Sequence, residues 1–207
     1  MLKIYGAPTY NALKVVLTAE EAGMDYDYIE MNLAEGEQKS PEHLERHVLG
    51  KVPAIEHDGN ALFESGAICR YLAQVSDSSL YAGDDYQRAV IDQWVDLMSE
   101  HVGRWLTTHY YQEFIKPVYF KQDTDQAALE EAQIFLKDQL PAVDKQLAKY
   151  SYLAGDTFSI ADIFAFSYFQ THERTSVDFG EYVNISRWYE EVGGRPAVIK
   201  AVGVVKA

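Results

Sequence analysis

The 207-residue chain has few cysteines, few basic residues and no long apolar segment. Its single cysteine, Cys69, excludes an intrachain disulfide framework. The lack of a Cys-x-x-Cys pair excludes a dithiol redox centre or a cysteine-based zinc site within this chain. Such cysteine usage fits a reducing compartment, so we expect the protein to be cytoplasmic.

Basic residues are outnumbered, with 18 Lys and Arg against 32 Asp and Glu and a formal net charge of −14. Nucleic acids and anionic membranes attract clustered positive charge, so neither is an expected partner. No segment approaches the ~20 apolar residues of a membrane-spanning helix. The first residues also lack the apolar region of a signal peptide. We therefore predict a globular protein with no anchor.

Hydrophobic periodicity in the first third of the chain predicts alternating strands and helices. A strand, a helix and a second strand are followed by a short helix that begins at Ser40-Pro41, a hairpin and an amphipathic helix with Ser65 as its predicted N-cap. The order is βαβαββα, that of a thioredoxin-like α/β domain. The main segments are residues 2–5, 11–22, 26–31, 52–55 and 61–63.

Strand signals largely end within residues 76–85, which are rich in Ser, Gly and Asp. Long helical patterns follow, and Ser159-Ile-Ala-Asp162 has the spacing of a helix-capping box. We therefore predict a second, all-α domain. The predicted boundaries are 1–78 for the α/β domain and 86–207 for the helical domain.

The loop Ala7-Pro8-Thr9-Tyr10-Asn11 leads into a predicted helix, whose free amides and dipole favour an anion such as a thiolate. The loop has no cysteine, so a reactive sulfur here must come from a ligand. The Thr9 hydroxyl or the Asn11 amide would hydrogen-bond that thiolate and favour it over the thiol. The simpler alternative is that Thr9 is an ordinary N-cap.

Two further segments suit the ends of a short peptide. A cis peptide bond before Pro53 would turn the backbone of Val52 outward, where it can make strand-like hydrogen bonds to a peptide. Glu64 suits an ammonium group, and the Ser65 hydroxyl with the adjoining helix amides suits the neighbouring carboxylate. Each segment alone is commonplace, but together they indicate one ligand with a free amino-acid end.

Together the segments resemble the cytosolic glutathione S-transferase family. The motifs are Gly50-Lys-Val-Pro-Ala-Ile, Leu62-Phe-Glu-Ser-Gly-Ala-Ile and Phe158-Ser-Ile-Ala-Asp162, which span both predicted domains. The resemblance implies a homodimeric detoxification enzyme that uses glutathione as co-substrate and needs no metal. It also implies that glutathione is held by Val52, Pro53, Glu64 and Ser65, with Gln38 and Lys51 near its glycine carboxylate and Lys39 as a weaker candidate.

Three alternatives remain for the residue beside the glutathione sulfur: Tyr5 at the strand end, Tyr10, and Thr9 with Asn11. We favour the last, because Ala7-Pro8-Thr9-x-Asn11-x-x-Lys14 resembles the bacterial nu class. That class is associated with glutathione-dependent disulfide-bond reductase activity.

The expected function is therefore activation of the glutathione thiol, followed by its transfer to a small electrophile or by reduction of a small disulfide. The alternatives are a glutathione-dependent disulfide oxidoreductase or peroxidase, and a non-catalytic binding module of the same fold. Cys69 lies inside a predicted helix and is expected to pack. Tyr110 and Tyr111 are weak candidates for an apolar co-substrate site, and His101 and His109 lack the spacing of a metal motif.

Overall fold

Strands and helices alternate through the first 82 residues, around a four-stranded sheet with the order β2-β1-β3-β4. In this computed structural model, which describes residues 1–206, these residues and the chain from Gly194 onward form one compact unit, called the sheet unit. Its elements as far as Ala82 are β1 (Leu2–Gly6), α1 (Tyr10–Glu21), β2 (Tyr26–Glu30), a 3₁₀ turn (Glu37–Lys39), α2 (Pro41–Arg46), β3 (Ala54–His57), β4 (Asn60–Phe63), α3 (Ser65–Val75) and a second 3₁₀ turn (Ser79–Tyr81). The predicted order βαβαββα is confirmed.

The strand register brings three loops to one end of the sheet. β1 runs parallel to β2 and antiparallel to β3, and β3 runs antiparallel to β4. Tyr5 pairs with Ala54, and Ala54 pairs with Phe63, so these residues form one row across three strands. The chain leaves β1 and β4, and enters β3, just beyond this row. We call this end of the sheet the loop edge.

The second unit, Gly83–Gly193, is called the helical unit. Its α-helices are α4 (Asp85–Leu97), α5 (Gly103–Tyr110), α6 (Lys116–Tyr119), α7 (Gln126–Lys149), α8 (Ile160–Phe169) and α9 (Val183–Gly193), with a 3₁₀ turn at Gln170–Arg174. The stretch from α4 to α6 continues without a break through two π-helical turns, Met98–Val102 and Tyr111–Ile115. Gly103 permits the first, because a Cβ there would lie 2.2 Å from the Met98 carbonyl oxygen.

A capping box at the start of α8 organises the core of the helical unit. Ser159 caps the helix, and the fully buried carboxylate of Asp162 accepts hydrogen bonds from the backbone N–H groups of Leu153 and Ser159, both at 3.0 Å. It also accepts from the Ser159 hydroxyl and from Trp188 Nε1. Burial raises the pKa of Asp162 to about 6, although these donors favour the charged form.

The last helix, α10 (Pro196–Val205), packs on α1 of the sheet unit. The domain boundaries predicted from the sequence place this segment in the helical domain instead. Arg195 makes two hydrogen bonds of 2.6 and 2.7 Å to Glu21, and Lys200 lies 2.8 Å from Glu20. These contacts, with buried Val198, Ala201 and Val205 on its apolar face, account for its position.

No helix within residues 1–206 combines the length and the apolar character that are needed to cross a membrane.

Candidate functional site

The three predicted ligand-binding segments all lie at the loop edge. The loop after β1 contains Thr9, the segment before β3 contains Val52 and Pro53, and the residues after β4 are Glu64 and Ser65. They meet because the row of paired residues ends each strand at the same level. α1 and α3 both begin here, so the first N–H groups of both helices lie at this end of the sheet.

Thr9 is an N-cap, as the simpler alternative held. Its backbone is extended, and its Oγ1 accepts a hydrogen bond of 3.2 Å from the N–H of Ala12. This bond uses a lone pair of the oxygen and leaves the hydroxyl hydrogen to be donated elsewhere. Capping and thiolate binding by Thr9 are therefore compatible.

Asn11 lies in the first turn of α1, and its Oδ1 accepts a hydrogen bond of 2.8 Å from Lys14 Nζ. The amide oxygen is therefore used within the helix, and the Nδ2 group is the donating end of the side chain. A donor at this position suits a thiolate.

Tyr5 lies in surroundings that do not suit a catalytic tyrosine. Its hydroxyl donates a hydrogen bond of 3.0 Å to Glu56, and the guanidinium of Arg46 lies 4.3 Å from the ring centroid. His43 packs against the same ring edge-on. Burial and the bond to Glu56 raise the pKa of Tyr5, whereas stabilising a thiolate requires a readily donated proton. These surroundings argue against Tyr5 as the residue beside the glutathione sulfur.

Tyr10 is the first residue of α1 and is half-buried, and its ring centroid lies 5.2 Å from Lys14 Nζ.

Cys69 in α3 is fully buried, and burial raises the pKa of its thiol to about 11. The expectation that Cys69 packs is confirmed, and the thiol is not activated. Any reactive sulfur at the loop edge must therefore come from a ligand.

The Val52–Pro53 peptide bond is cis, the form on which the predicted binding role of Val52 depends. His43 Nε2 donates a hydrogen bond of 2.7 Å to the carbonyl of Lys51, and the N–H of Leu49 donates to His47 Nδ1 at 3.2 Å. The two histidines of the α2 region thus hold the segment that leads to Val52. The side chain of Lys51 is exposed.

The candidates for the glycine carboxylate differ in their surroundings. Gln38 donates from Nε2 to the carbonyl of Leu33 at 3.4 Å, and its Oε1 is buried without a hydrogen-bond partner among residues 1–206. Lys39 donates to the carbonyl of Leu49 at 2.6 Å, so its ammonium group is used within the loop. This bond makes Lys39 the poorer candidate.

Gly50 directly precedes Lys51, and its backbone packs against the backbone of Gln38. We predict that Gly50→Ala has a large effect on glutathione binding. The φ of Gly50 is 53°, and a Cβ would lie 2.4 Å from the carbonyl oxygen of Gln38. Overpacking of this kind costs about 1–3 kcal/mol, and the segments that carry Gln38 and Lys51 would separate. We expect a higher KM for glutathione with a smaller change in kcat, measured by steady-state kinetics.

Gly59→Ala is the matched control, because Gly59 has φ 84° and, apart from its two chain neighbours, no described residue has an atom within 4 Å of the position that a Cβ would take. It introduces similar backbone strain without the clash. Equal KM values for the two variants would contradict a positioning role for Gly50.

Glu64 has an unusual backbone conformation, with φ 70° and ψ 116°. It occupies the N-cap position of α3 without a side-chain cap bond, and Ser65 is the first helical residue. The prediction that Ser65 is the N-cap was therefore wrong by one residue. Strained non-glycine residues cluster at functional sites, and the exposed carboxylate of Glu64 next to the α3 N-terminus is such a case.

Within the helical unit, aromatic rings cluster near the second π-helical turn. Phe114 contacts Tyr110 at 5.3 Å and Tyr119 at 5.9 Å between ring centroids, and Arg174 lies over the Phe114 ring. Tyr111 contacts Phe120.

The two histidines of this region differ in exposure. His109 is buried, with its Nδ1 3.6 Å from Glu113 Oε1, and His101 is exposed. No cluster of three metal-ligating side chains occurs among the residues that the structure describes.

Two features of the sheet unit were missed by sequence reasoning. Arg46 and Glu56, which hold Tyr5, gave no local signal, because both lie far from Tyr5 in the sequence. The burial of Lys14 did have a signal: it is the one charged residue in the apolar run Ala12-Leu-Lys-Val-Val-Leu17.

The fold and the loop edge define a thioredoxin-like domain with a ligand site, joined to an all-helical domain. Residues 1–74 match the family model "Glutathione S-transferase, N-terminal domain", and residues 106–196 match "Glutathione S-transferase, C-terminal domain". The chain belongs to the glutathione S-transferase family.

Full-length relatives agree with this assignment. Glutathione S-transferase 1 of Zea mays is 34% identical over 99% of this chain and 97% of its own length. Disulfide-bond oxidoreductase YfcG of Escherichia coli is 32% identical over 98% and 94%. Among solved structures, maize glutathione S-transferase I in complex with an atrazine glutathione conjugate has a TM-score of 0.92 at 33% identity, covering 99% of this chain and 98% of that chain.

Proposed function

We propose that this chain is a glutathione transferase that binds glutathione at the loop edge, lowers the pKa of its thiol and transfers the sulfur to a small electrophile. The observation that carries this proposal is the row Tyr5–Ala54–Phe63, which brings the start of α1, the Val52–Pro53 segment and Glu64 to one end of the sheet. Family membership supports glutathione as the ligand.

We assign a part of glutathione to each segment. Glu64 binds the γ-glutamyl ammonium group, and Ser65 with the α3 amides binds the neighbouring carboxylate. The backbone of Val52, set by Pro53, pairs with the cysteinyl residue. Gln38 and Lys51 lie on the side of the glycine carboxylate. The amide of Gln38 holds the loop through its Nε2 group, which donates to the carbonyl of Leu33.

Thr9 and Asn11 are the proposed donors to the sulfur. The pKa of a free thiol is about 8.5, and hydrogen bonds and a helix N-terminus favour the thiolate. The thiol proton leaves to solvent, the sulfur forms a bond to the electrophilic carbon, and the leaving group departs with its electron pair. Tyr10 is not needed as a donor in this scheme, since its ring lies against Lys14.

A second candidate function is glutathione-dependent reduction of a small disulfide. The similarity to the Escherichia coli oxidoreductase and the Thr9–Asn11–Lys14 pattern favour it, and the finer assignment to a nu-like class depends on that pattern. Here the thiolate attacks one sulfur of the disulfide and releases the other as a thiol. A second glutathione then attacks the mixed disulfide, which releases the remaining substrate thiol and forms glutathione disulfide. A hydroperoxide is the third substrate class to test.

We expect Thr9→Ala and Asn11→Ala each to lower kcat/KM about tenfold or more near neutral pH, because each removes one donor to the thiolate. The assay compares a chlorinated aromatic electrophile, a mixed disulfide and a hydroperoxide, each with glutathione. The preferred substrate distinguishes the candidate reactions. Wild-type rates at every pH in both variants would contradict the assignment, and glutathione binding without any turnover would favour a non-catalytic module.

We further propose that the protein is a cytoplasmic homodimer. Its single buried cysteine suits a reducing compartment, and dimers are the commonest closed assemblies of soluble proteins. Analytical ultracentrifugation that detects only a 23.5 kDa species would contradict the dimer.

A further inference from the structure

Lys14 is a fully buried lysine on α1, one turn after the proposed sulfur donors. Its side chain has no exposed area, and burial lowers its pKa well below the ordinary value. A lysine amine is expensive to bury because it must leave water, so a methionine of similar length would pack here at lower cost. Packing alone does not account for a lysine at this position.

The amine of Lys14 is directed at the candidate site. Nζ donates to Asn11 Oδ1 at 2.8 Å and lies 5.2 Å from the centroid of the Tyr10 ring. Cys69 of α3 donates a hydrogen bond of 3.5 Å from Sγ to the Lys14 carbonyl, so Lys14 lies where α1 packs against α3. The charge of Glu64, the N-cap residue of α3, also acts on the Lys14 amine.

A side-chain amide has one accepting end and one donating end, and rotation by 180° exchanges them. Because Lys14 donates its hydrogen bond to Oδ1, the opposite end of the Asn11 amide is the Nδ2 group, which donates. An amine carries a hydrogen to donate whether it is protonated or neutral, so this constraint holds in both states. Donation to Oδ1 also polarises the amide and strengthens Nδ2 as a donor.

We propose that Lys14 is a positioning residue that locks the Asn11 amide with Nδ2 directed to the glutathione thiolate. This inference rests on the proposed function. It identifies the residue that orients the Asn11 amide before glutathione binds. Lys14 does not touch the substrate, and it acts through Asn11.

Two substitutions separate the hydrogen bond from the volume of the side chain. Lys14→Met removes the donor and keeps the length, whereas Lys14→Gln keeps a neutral donor. We expect Lys14→Met to lower kcat about ten- to a hundredfold, because a misdirected amide no longer meets the sulfur. Its affinity for S-methylglutathione, which has no thiol, should stay that of the wild type. Lys14→Gln should recover part of the rate.

The pKa of the bound thiol is the more direct readout. Titration of the thiolate ultraviolet absorbance, with the S-methylglutathione complex as blank, should move to higher pH by about one unit in Lys14→Met. The groups facing Lys14 that can also titrate are Tyr10, Glu64 and Cys69, and they are the same in both proteins. Lys200→Met, which removes an exposed lysine of α10, is the charge control and should leave the titration unchanged.

A double-mutant cycle with Asn11→Ala completes the test. If Lys14 acts through Asn11, the double variant should be no slower than Asn11→Ala alone. An unchanged titration in Lys14→Met, additive losses, or a loss of S-methylglutathione affinity equal to the loss in kcat would each overturn the proposal. If Lys14→Met yields no folded protein, a folded Lys14→Gln as slow as Asn11→Ala overturns it. Failure of the wild type to bind S-methylglutathione would instead refute the proposed function.

Discussion

Replacing Asp162 by alanine is expected to lower the free energy of unfolding of the helical unit by about 3–5 kcal/mol. The carboxylate accepts from the N–H groups of Leu153 and Ser159 and from Trp188 Nε1. All these donors are buried, so truncation leaves them without acceptors. An unsatisfied buried donor costs more than the net value of the bond that was lost.

Chemical denaturation followed by tryptophan fluorescence measures this effect, because the three tryptophans, Trp94, Trp105 and Trp188, all lie in the helical unit. Ser159→Ala is the matched control. It removes the capping hydroxyl of the same box but leaves the carboxylate in place, at a cost of about 1 kcal/mol. Equal losses in the two variants would contradict the central role given to Asp162.

The stability of the wild type should also depend on pH through Asp162. Burial raises its pKa from 3.8 to about 6, so the folded state holds the proton more tightly than the unfolded state does. Its contribution is therefore complete below pH 3.8 and is lost as the pH rises through about 6. The difference amounts to about 3 kcal/mol. Asp162→Asn cannot titrate, so the wild-type advantage over it should shrink across this interval.

Truncation of Glu64 is expected to weaken glutathione binding about ten- to a hundredfold, since hydrogen bonds to charged groups contribute about 1.5–3 kcal/mol. Glu64 is the proposed partner of the γ-glutamyl ammonium group, and Glu64→Ala removes that charge while keeping a side chain at φ 70°. Isothermal titration calorimetry with S-methylglutathione measures the affinity without interference from turnover or oxidation.

Glu64→Gly separates binding from stability. Glycine tolerates positive φ without strain, so this variant should unfold at the wild-type denaturant concentration or higher, and yet bind as poorly as Glu64→Ala. Asp58→Gly is the matched control. Asp58 has φ 51° in the hairpin turn beyond the row His57–Asn60, away from the loop edge, so its replacement should not change the affinity. Normal binding by Glu64→Gly would refute the ammonium anchor.

Most of the sheet unit was predictable because its signals are local. Gly6, Asp58-Gly59 and Ser40-Pro41 mark element ends through backbone preferences that depend on few neighbours. The docking of α10 on α1 was not predictable, because it depends on contacts between residues such as Arg195 and Glu21 that are far apart in the chain. The π-helical turns of the helical unit also gave no periodic signal that differs from an ordinary helix.

The candidate site was predictable in its residues more than in their roles. Thr9, Val52 and Glu64 could be proposed from the sequence because each lies beside a predicted strand end or helix start. Tyr5 remained an alternative until the structure placed its hydroxyl against Glu56, a contact between strands that sequence spacing does not reveal. The apolar run around Lys14 is a signal of its burial, but a lysine side chain can also extend to water, so the packing of α1 on α3 decides the outcome.

The position of α10 has a consequence for the order in which the protein is made. The sheet unit contains the first 82 residues, yet α10 covers α1 only after the whole helical unit has been synthesised. During synthesis on the ribosome, the helical unit is therefore complete before the sheet unit is. Until α10 has been made, the face of α1 that α10 covers stays uncovered. A nascent chain stalled before Gly194 would contain every residue assigned to the ligand and still lack the helix that closes their scaffold.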